Sequence, residues 1–382
     1  MQAERVALAA PESALRRIQF EAAQGEAFGS VYIQHQRRRK VTMSKKKLSV
    51  LICGCLAAFL FVAVTTASGQ AKKVEMTYSI FFPVAHTHTK LAIEWCQEIE
   101  KRTNGAVKIN MFPGATLTPA DQCYDGIVKG ISDCGMTVVS YVKGRFPLSE
   151  VIDLPLGYKN GKQSTFLGNA YYEKFKPKEF DDVKVMYFHG HGPGFVNSKK
   201  PVTKLDEMKG LKIRGTGTTA KVVKALGATP VAMPMTETYD AVSKGVADGF
   251  VAPIEALQGW KLAEVVNNTT QDYGAAYTIL FIVAMNKQKW ASLPKDVQET
   301  IEKINKEWIV KTAENWDRID KEGKEFAEKK GHKFISLSPE EDAKWAAAVK
   351  PVLEEYVIAM KEKNLPGEEA LKFCKEWLKQ NP

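Results

Sequence analysis

From residue 74 onward, short apolar runs alternate with segments whose apolar positions recur at helical spacing. Residues 74–82 read as a strand, and 89–102 as an amphipathic helix ending at Asn104-Gly105. A strand over 107–111 and a helix over 119–129 follow. The same order returns as a strand over 211–214, a helix over 218–226, a strand over 231–233 and a helix over 236–244. Strand–helix alternation of this kind predicts mainly parallel sheets covered by helices. An internal repeat supports two units of one plan. Tyr124-Asp125-Gly126-Ile127-Val128-Lys129-Gly130-Ile131-Ser132-Asp133 recurs as Tyr239-Asp240-Ala241-Val242-Ser243-Lys244-Gly245-Val246-Ala247-Asp248, identical at five of ten positions and displaced by 115 residues. Each copy reads as a helix closed by Gly130 or Gly245 and followed by a short strand, over 134–139 or 249–251. A period that long fits two α/β lobes, not a solenoid.

The C-terminal part is mostly helical. Val297, Ile301, Ile304, Trp308, Trp316, Ile319 and Phe326 fall near one face, and no proline interrupts the pattern before Gly331. A continuous helix over 295–330 would run about 54 Å at the usual rise, long enough to cross both lobes, with Gly323 a place for a kink. Ser338-Pro339-Glu340-Glu341 opens another helix with a capping serine and a proline in the first turn. The expected architecture is two α/β lobes with mainly parallel sheets, a cleft between them and a helix spanning both. Residues 74–191 plus 280–318 form one lobe, and 192–279 plus 319–382 the other.

The N-terminus changes the charge count. Lys45-Lys46-Lys47 precedes an uncharged stretch over 48–70 that ends in small residues, the layout of a secretory signal over 43–71. Residues 1–42 end in Arg37-Arg38-Arg39-Lys40, ahead of Met43. They are expected to be a mis-annotated upstream stretch, with translation starting at Met43, or a disordered leader. The whole chain has a formal charge of +10. Without residues 1–71 it holds 44 Lys/Arg against 40 Asp/Glu, a balance of +4, and no basic stripe with interleaved aromatics. A nucleic-acid partner therefore has no support. Cys96, Cys123, Cys134 and Cys374 remain, in no CxxC spacing. An exported compartment permits disulfides among them, and four cysteines allow three pairings that sequence does not rank.

Ligands of parallel α/β sheets bind beyond the C-terminal ends of strands, where helix N-termini offer N–H groups. That rule points to Arg214-Gly215-Thr216-Gly217-Thr218-Thr219, where Arg214 closes a strand and the next helix starts at once. A guanidinium beside free amides suits a carboxylate; the competing reading is an arginine paired with an acid of its own lobe. Gly215-x-Gly217-x-x-Ala220, with Glu237 downstream, also matches a dinucleotide fingerprint, and makes an oxidoreductase the rival function. Against it, Arg214 stands where the fingerprint needs an unobtrusive residue, and the other copy of the unit, over 74–102, lacks the glycines. His86-Thr87-His88 and His189-Gly190-His191 have the look of metal pairs, but no matching carboxylate or cysteine cluster joins them, so no metal and no cofactor is expected. Gly190-His191-Gly192-Pro193-Gly194 reads as a crossover between lobes. No GxSxG, HExxH or P-loop sequence is present, so the chain is not expected to be an enzyme.

Leu205-Asp206-Glu207-Met208-Lys209-Gly210-Leu211-Lys212-Ile213-Arg214, then Leu226-Gly227-Ala228-Thr229-Pro230-Val231 and the stretch 239–249, resemble the DctP-type solute-binding subunits of tripartite ATP-independent periplasmic (TRAP) transporters. The resemblance covers about residues 74–378. It implies a two-lobed periplasmic binding protein fold whose lobes close on ligand, Arg214 as the arginine that holds the substrate carboxylate, a periplasmic location and delivery to membrane permease subunits. Departures narrow the ligand. Sialate-binding members carry a second arginine where this chain runs Gly192-Pro193-Gly194-Phe195, an Asn where Ala252 falls, and a Glu near Val138. Fewer charges, with Phe81, Phe82, Tyr141, Phe188, Phe195 and Trp260 as aromatic candidates, predict a monocarboxylate with an aromatic or apolar body, a 2-oxo or 2-hydroxy acid held by His189 or Ser140. The expected substrate-binding set is Arg214, Phe82, Ser140, Tyr141, His189, Phe195, Gly215, Thr216, Met233, Ala252 and Trp260. A ligand-sensing module with a signalling partner would have the same pocket.

Overall fold

Eleven strands among residues 73–382, the part of the chain that the computed structural model describes, form two sheets. The leader read over 1–42 and the signal read over 43–71 lie outside these residues. The first sheet runs in the order β2 (Val107–Phe112), β1 (Val74–Ile80), β3 (Cys134–Val138), β10 (Leu280–Asn286), β4 (Val183–Gly190). The second runs β11 (Lys333–Ser336), β9 (Asn268–Gln271), β5 (Phe195–Ser198), β8 (Gly249–Ala252), β6 (Lys212–Gly215), β7 (Thr229–Ala232). In each sheet one strand is antiparallel to its neighbours, β10 in the first and β5 in the second. Both are the first strands laid down after the chain has crossed from the other sheet. The two crossover segments touch, through an antiparallel bridge between Gly194 and Tyr277. Glycine is required there, because a Cβ at Gly194 would lie 2.4 Å from the Tyr277 ring.

The repeat folds as one device used twice. Its first copy forms α2 (Cys123–Val128) and its second α5 (Thr238–Ser243), each ended by a glycine in the left-handed region, Gly130 at φ 73° and Gly245 at φ 75°. The closing aspartates do the same work. Asp133 Oδ2 accepts from the backbone N–H of Thr77 at 2.8 Å, and Asp248 Oδ2 from that of Lys212 at 2.8 Å. Each thus ties the end of its helical unit to the neighbouring strand.

Helix α1 (Thr87–Arg102) packs its Trp95 and Ile99 face on the first sheet, and α3 (Gly161–Phe175) covers the same sheet. Helix α4 (Thr218–Ala225) follows β6, and a single turn, α6 (Ala256–Gly259), follows β8. After α7 (Lys287–Ser292) comes α8 (Lys295–Lys329), 35 residues without a break. Its first half belongs with the first sheet: Trp95 Nε1 donates to Asn305 Oδ1 at 3.0 Å, and Trp308 Nε1 to the Leu91 carbonyl at 3.0 Å. Its last turns lie on the second, where Asp320 Oδ1 accepts from the Glu255 N–H at 2.8 Å. The helix runs through Gly323 without a break. This glycine lets the backbone of Ile254 and Glu255 approach, since a Cβ there would meet both at 2.9 Å.

The C-terminus departs from the expectation that residues 319–382 stay with the second lobe. Helix α9 (Pro339–Glu362) starts there, with Asp342 Oδ1 accepting from Gly274 N–H at 2.8 Å, but its Tyr356 hydroxyl donates to the Leu148 carbonyl of the first-sheet side. Helix α10 (Gly367–Gln380) packs on α3, and Gln163 Nε2 donates to the Asn381 carbonyl at 2.8 Å. Amphipathic spacing says that a face is buried, not which surface buries it. The four cysteines among the described residues are buried and free. Among the described residues no helix is long and apolar enough to cross a membrane.

Candidate functional site

The C-terminal ends of β1, β3, β6 and β8, and the start of the antiparallel β10, converge on one cavity of about 400 Å³ of non-atom space, some of it continuous with solvent. Its walls are aromatic. Phe81 and Phe82 stack at 4.7 Å between centroids where β1 ends. Phe82 lies 5.4 Å from Trp260, and Phe281 lies 5.4 Å from Trp316 of α8. Tyr141, Tyr277, His191, Met235, Ala252, Glu255 and Arg214 complete most of the lining.

Arg214 sits in β6 with only 3% of its surface exposed. Its Nε and Nη2 both donate to the Met233 carbonyl, at 3.0 and 2.9 Å, which fixes the plane of the guanidinium. No carboxylate pairs with it among the described residues. A buried cation held only by a neutral carbonyl lacks the counter-charge that burial demands. The Tyr141 hydroxyl accepts from the Met235 N–H at 2.9 Å and lies near Arg214; burial raises its pKa and the arginine's charge pulls it back. Two more polar atoms in the wall, Tyr277 Oη and His191 Nε2, are buried without a hydrogen-bond partner. His191 Nδ1 bonds to the Gly192 carbonyl. Burial, and secondarily the Arg214 charge, bring its pKa down to about 4 against the opposing pull of that carbonyl.

Of the residues expected at the site, the structure brings Arg214, Phe82, Tyr141, Ala252 and Trp260 into the lining. Met233 stands behind it, as the carbonyl that orients Arg214. Gly215 and Thr216 serve the start of α4. A Cβ on Gly215 would meet the backbone of Thr219 and Ala220 at 3.2 Å, while the Thr216 N–H donates to Thr219 Oγ1 at 2.8 Å. Ser140 packs against Gly217, whose Cβ would fall 2.6 Å from its own. The glycines of the apparent dinucleotide fingerprint are thus accounted for by a tight helix start and by contact with the first-sheet side. His189 is turned away from the cavity. It stacks on Phe281 at 4.7 Å, accepts from Trp316 Nε1 at 3.1 Å and faces a smaller void with Tyr78 and His88. Phe195 packs edge-on to Tyr273 in the second core, and Phe188 lies among Tyr172 and Phe180. Neither lines the cavity. No cluster of three or more metal-ligating side chains occurs among the described residues.

Sequence reasoning missed His191, Tyr277, Phe281, Trp316, Met235 and Glu255. His191 had a signal, its place in the glycine-rich crossover. Trp316 was legible only as part of a helix face, and Tyr277 had none.

Comparison with known proteins agrees with this geometry. The profile of bacterial extracellular solute-binding protein family 7, DctP, matches residues 78–359. Among solved structures, a TRAP periplasmic solute-binding protein from Desulfovibrio salexigens, in an open complex, is 31% identical, with 80% of this chain and 95% of that one covered and a TM-score of 0.71. A TRAP solute-binding protein of an unidentified marine microbe, described as specific for aromatic acid ligands and solved with meta-hydroxyphenylacetate, is 27% identical over 81% and 99% of the two chains, with a TM-score of 0.77. A TRAP periplasmic solute-binding protein from Bordetella bronchiseptica, with bound (R)- and (S)-mandelate, is 29% identical over 81% and 100%, with a TM-score of 0.75. With its two mixed sheets, its long bridging helix and a family match over most of its length, the chain belongs to the DctP-type solute-binding subunits of TRAP transporters.

Proposed function

We propose that this chain is exported to the periplasm, captures a monocarboxylate with an aromatic or apolar body between its two lobes, and delivers it to TRAP membrane permease subunits. The observation that carries this reading is Arg214, a buried guanidinium without a carboxylate partner that opens onto an aromatic-walled cavity. A ligand carboxylate supplies the missing counter-charge, and a charge-assisted hydrogen bond of this type contributes about 1.5–3 kcal/mol. The walls take the apolar body, with aromatic stacking adding about 0.5–1.5 kcal/mol per well-placed pair. Among the described residues the cavity is lined by no second Lys or Arg, so a dicarboxylate would leave one charge unpaired. The relatives solved with mandelate and meta-hydroxyphenylacetate support the same ligand class.

Capture works by closure. Arg214 and Trp260 come from the second-sheet side, and Phe82 and Tyr141 from the first, so neither side alone completes the pocket. The test is thermal unfolding of residues 73–382, a compact unit with its own core, against a panel of carboxylates with NAD included. A ligand at a hundred times its Kd stabilises the native state by about 2.7 kcal/mol. A shift from aromatic monocarboxylates that disappears in Arg214→Ala is the expected result. A shift from NAD alone, or an Arg214→Ala protein that still binds acids, would sink the reading.

A further inference from the structure

The least explained polar atom in the cavity is Nε2 of His191. It is buried, lines the wall shared with Arg214, and has no hydrogen-bond partner. Its chemistry is decided by the other ring nitrogen. Nδ1 lies within hydrogen-bonding distance of the Gly192 carbonyl, which can only accept, so Nδ1 carries the hydrogen. In the neutral ring Nε2 is then a bare acceptor. The low pKa of the ring, about 4, keeps it in that form at ordinary pH.

The ring is held as well as polarised. The His191 carbonyl accepts from Ser164 Oγ at 2.7 Å and from Thr278 Oγ1 at 2.8 Å, which ties the backbone on both sides. The imidazole stands edge-on to Tyr277 at 5.5 Å and 86°. A Cβ on Gly192 would collide with Asp320 Oδ2, so the glycine is needed for the segment to lie where it does. A buried acceptor in a fixed place is costly to leave unpaired until something donates to it.

We propose that His191 reads a hydroxyl on the carbon next to the ligand carboxylate, so that the site takes 2-hydroxy acids in preference to the matching 2-oxo and unsubstituted acids. The inference rests on the reading of Arg214 as the carboxylate-holding group. His191 and Arg214 line the same cavity, so a ligand whose carboxylate is held at Arg214 can present the neighbouring hydroxyl to Nε2. A hydroxyl donates to Nε2. An oxo oxygen has no hydrogen and sets two acceptors face to face, and an unsubstituted carbon leaves Nε2 unpaired. A site built to pair with a hydroxyl rejects the analogue without it more strongly than an apolar pocket distinguishes one methylene. The Tyr277 hydroxyl, also without a partner, turns to accept or donate and does not discriminate.

The test is calorimetric titration of residues 73–382 with mandelate, phenylglyoxylate and phenylacetate, repeated with the 2-hydroxy, 2-oxo and unsubstituted 4-methylpentanoates. Within each set the hydroxy acid should bind about tenfold or more tighter than both others. That ratio should collapse toward one in His191→Gln, whose amide presents either a donor or an acceptor. Since the comparison within the wild type needs no variant, a failure of His191→Gln to fold leaves the proposal testable. As a second readout, the Nε2 nitrogen resonance should move with hydroxy acids and not with phenylacetate. Equal affinities across a set would overturn this inference and leave Arg214 standing. Binding of none of the acids would overturn the carboxylate reading and this inference together.

Discussion

His86 and Glu255 meet across the cleft, with His86 Nε2 donating to Glu255 Oε2 at 3.0 Å and both side chains buried. His86 caps α1, its Nδ1 accepting from the His88 N–H at 3.2 Å, so the hydrogen must sit on Nε2. Glu255 follows β8 on the other side, anchored through its own N–H to Asp320. The pair is a clasp between the two sides of the molecule, next to the cavity. Gly259 makes room for it, since a Cβ there would fall 2.6 Å from both Glu255 Oε2 and His86 Nε2.

Breaking the clasp should weaken capture more than it weakens the fold. Glu255→Ala removes the acceptor, and Gly259→Ala drives the pair apart without removing a charge. Each should raise the Kd for the preferred acid by about tenfold, the scale of one hydrogen bond to a charged group. X-ray scattering of the ligand-saturated variants should show a larger radius of gyration than the wild type. Unchanged Kd values in both variants would show that the clasp does not contribute to closure.

Gly217→Ala should act at the same step from the other side of the pocket. Gly217 has φ 52°, and its Cβ would lie 2.6 Å from that of Ser140. Backbone strain of about 1–3 kcal/mol adds to the steric block. Binding should fall by more than tenfold, and Ser140→Gly in the same chain should restore part of it by relieving the block but not the strain.

Acid should destabilise the fold through the histidines of this region. Burial pulls His189 down to about 3 and His191 to about 4, and drives His88 well below its ordinary value. The unfolded chain takes up protons near pH 6.5 that the folded rings refuse. The stability contributed by keeping them neutral is therefore full above about pH 6.5 and is lost as pH falls toward about 4. Asp153, Asp272 and Asp320 oppose this, because burial raises their pKa values and the folded state protonates first. Comparing His191→Gln with the wild type isolates one ring. The loss of stability between about pH 7 and about pH 5 should be smaller in the variant, by about 2 kcal/mol. Equal losses would place the His191 proton elsewhere.

The cysteines should be silent. Cys96, Cys123, Cys134 and Cys374 are free and buried, and burial pushes Cys123 up to about 11 and the other three higher still. Reducing agent should leave the Tm unchanged, and a thiol reagent should react only after unfolding. A Tm lowered by reductant would reveal a disulfide.

Much of the site was readable in local terms. Arg214 was found because a strand end followed at once by a helix start is visible in eight or so residues of pattern. Phe82, Tyr141 and Trp260 came from the set of aromatic candidates, and Ala252 from the resemblance to sialate-binding members. His189 and His191 show where local reading stops. They are two residues apart and similar in sequence context, yet β4 ends at Gly190 between them. His189 keeps its place in the sheet and points at Trp316, while His191 has left the strand and faces the cavity.

Taken alone, the sequence determined what local periodicity encodes. The repeated helix–glycine–strand unit, the long amphipathic helix over Lys295–Lys329 and the strand end that carries Arg214 all depend on residues near one another in the chain. What only the tertiary structure decided depends on segments far apart in it. Tyr277 meets Gly194, Trp316 closes the wall built on Phe281, Glu255 reaches His86, and α10 returns to α3. An apolar or polar pattern tells a side chain to be buried or to find a partner. The partner itself is chosen by packing two sheets and a bridging helix into one volume, and no local pattern carries that choice.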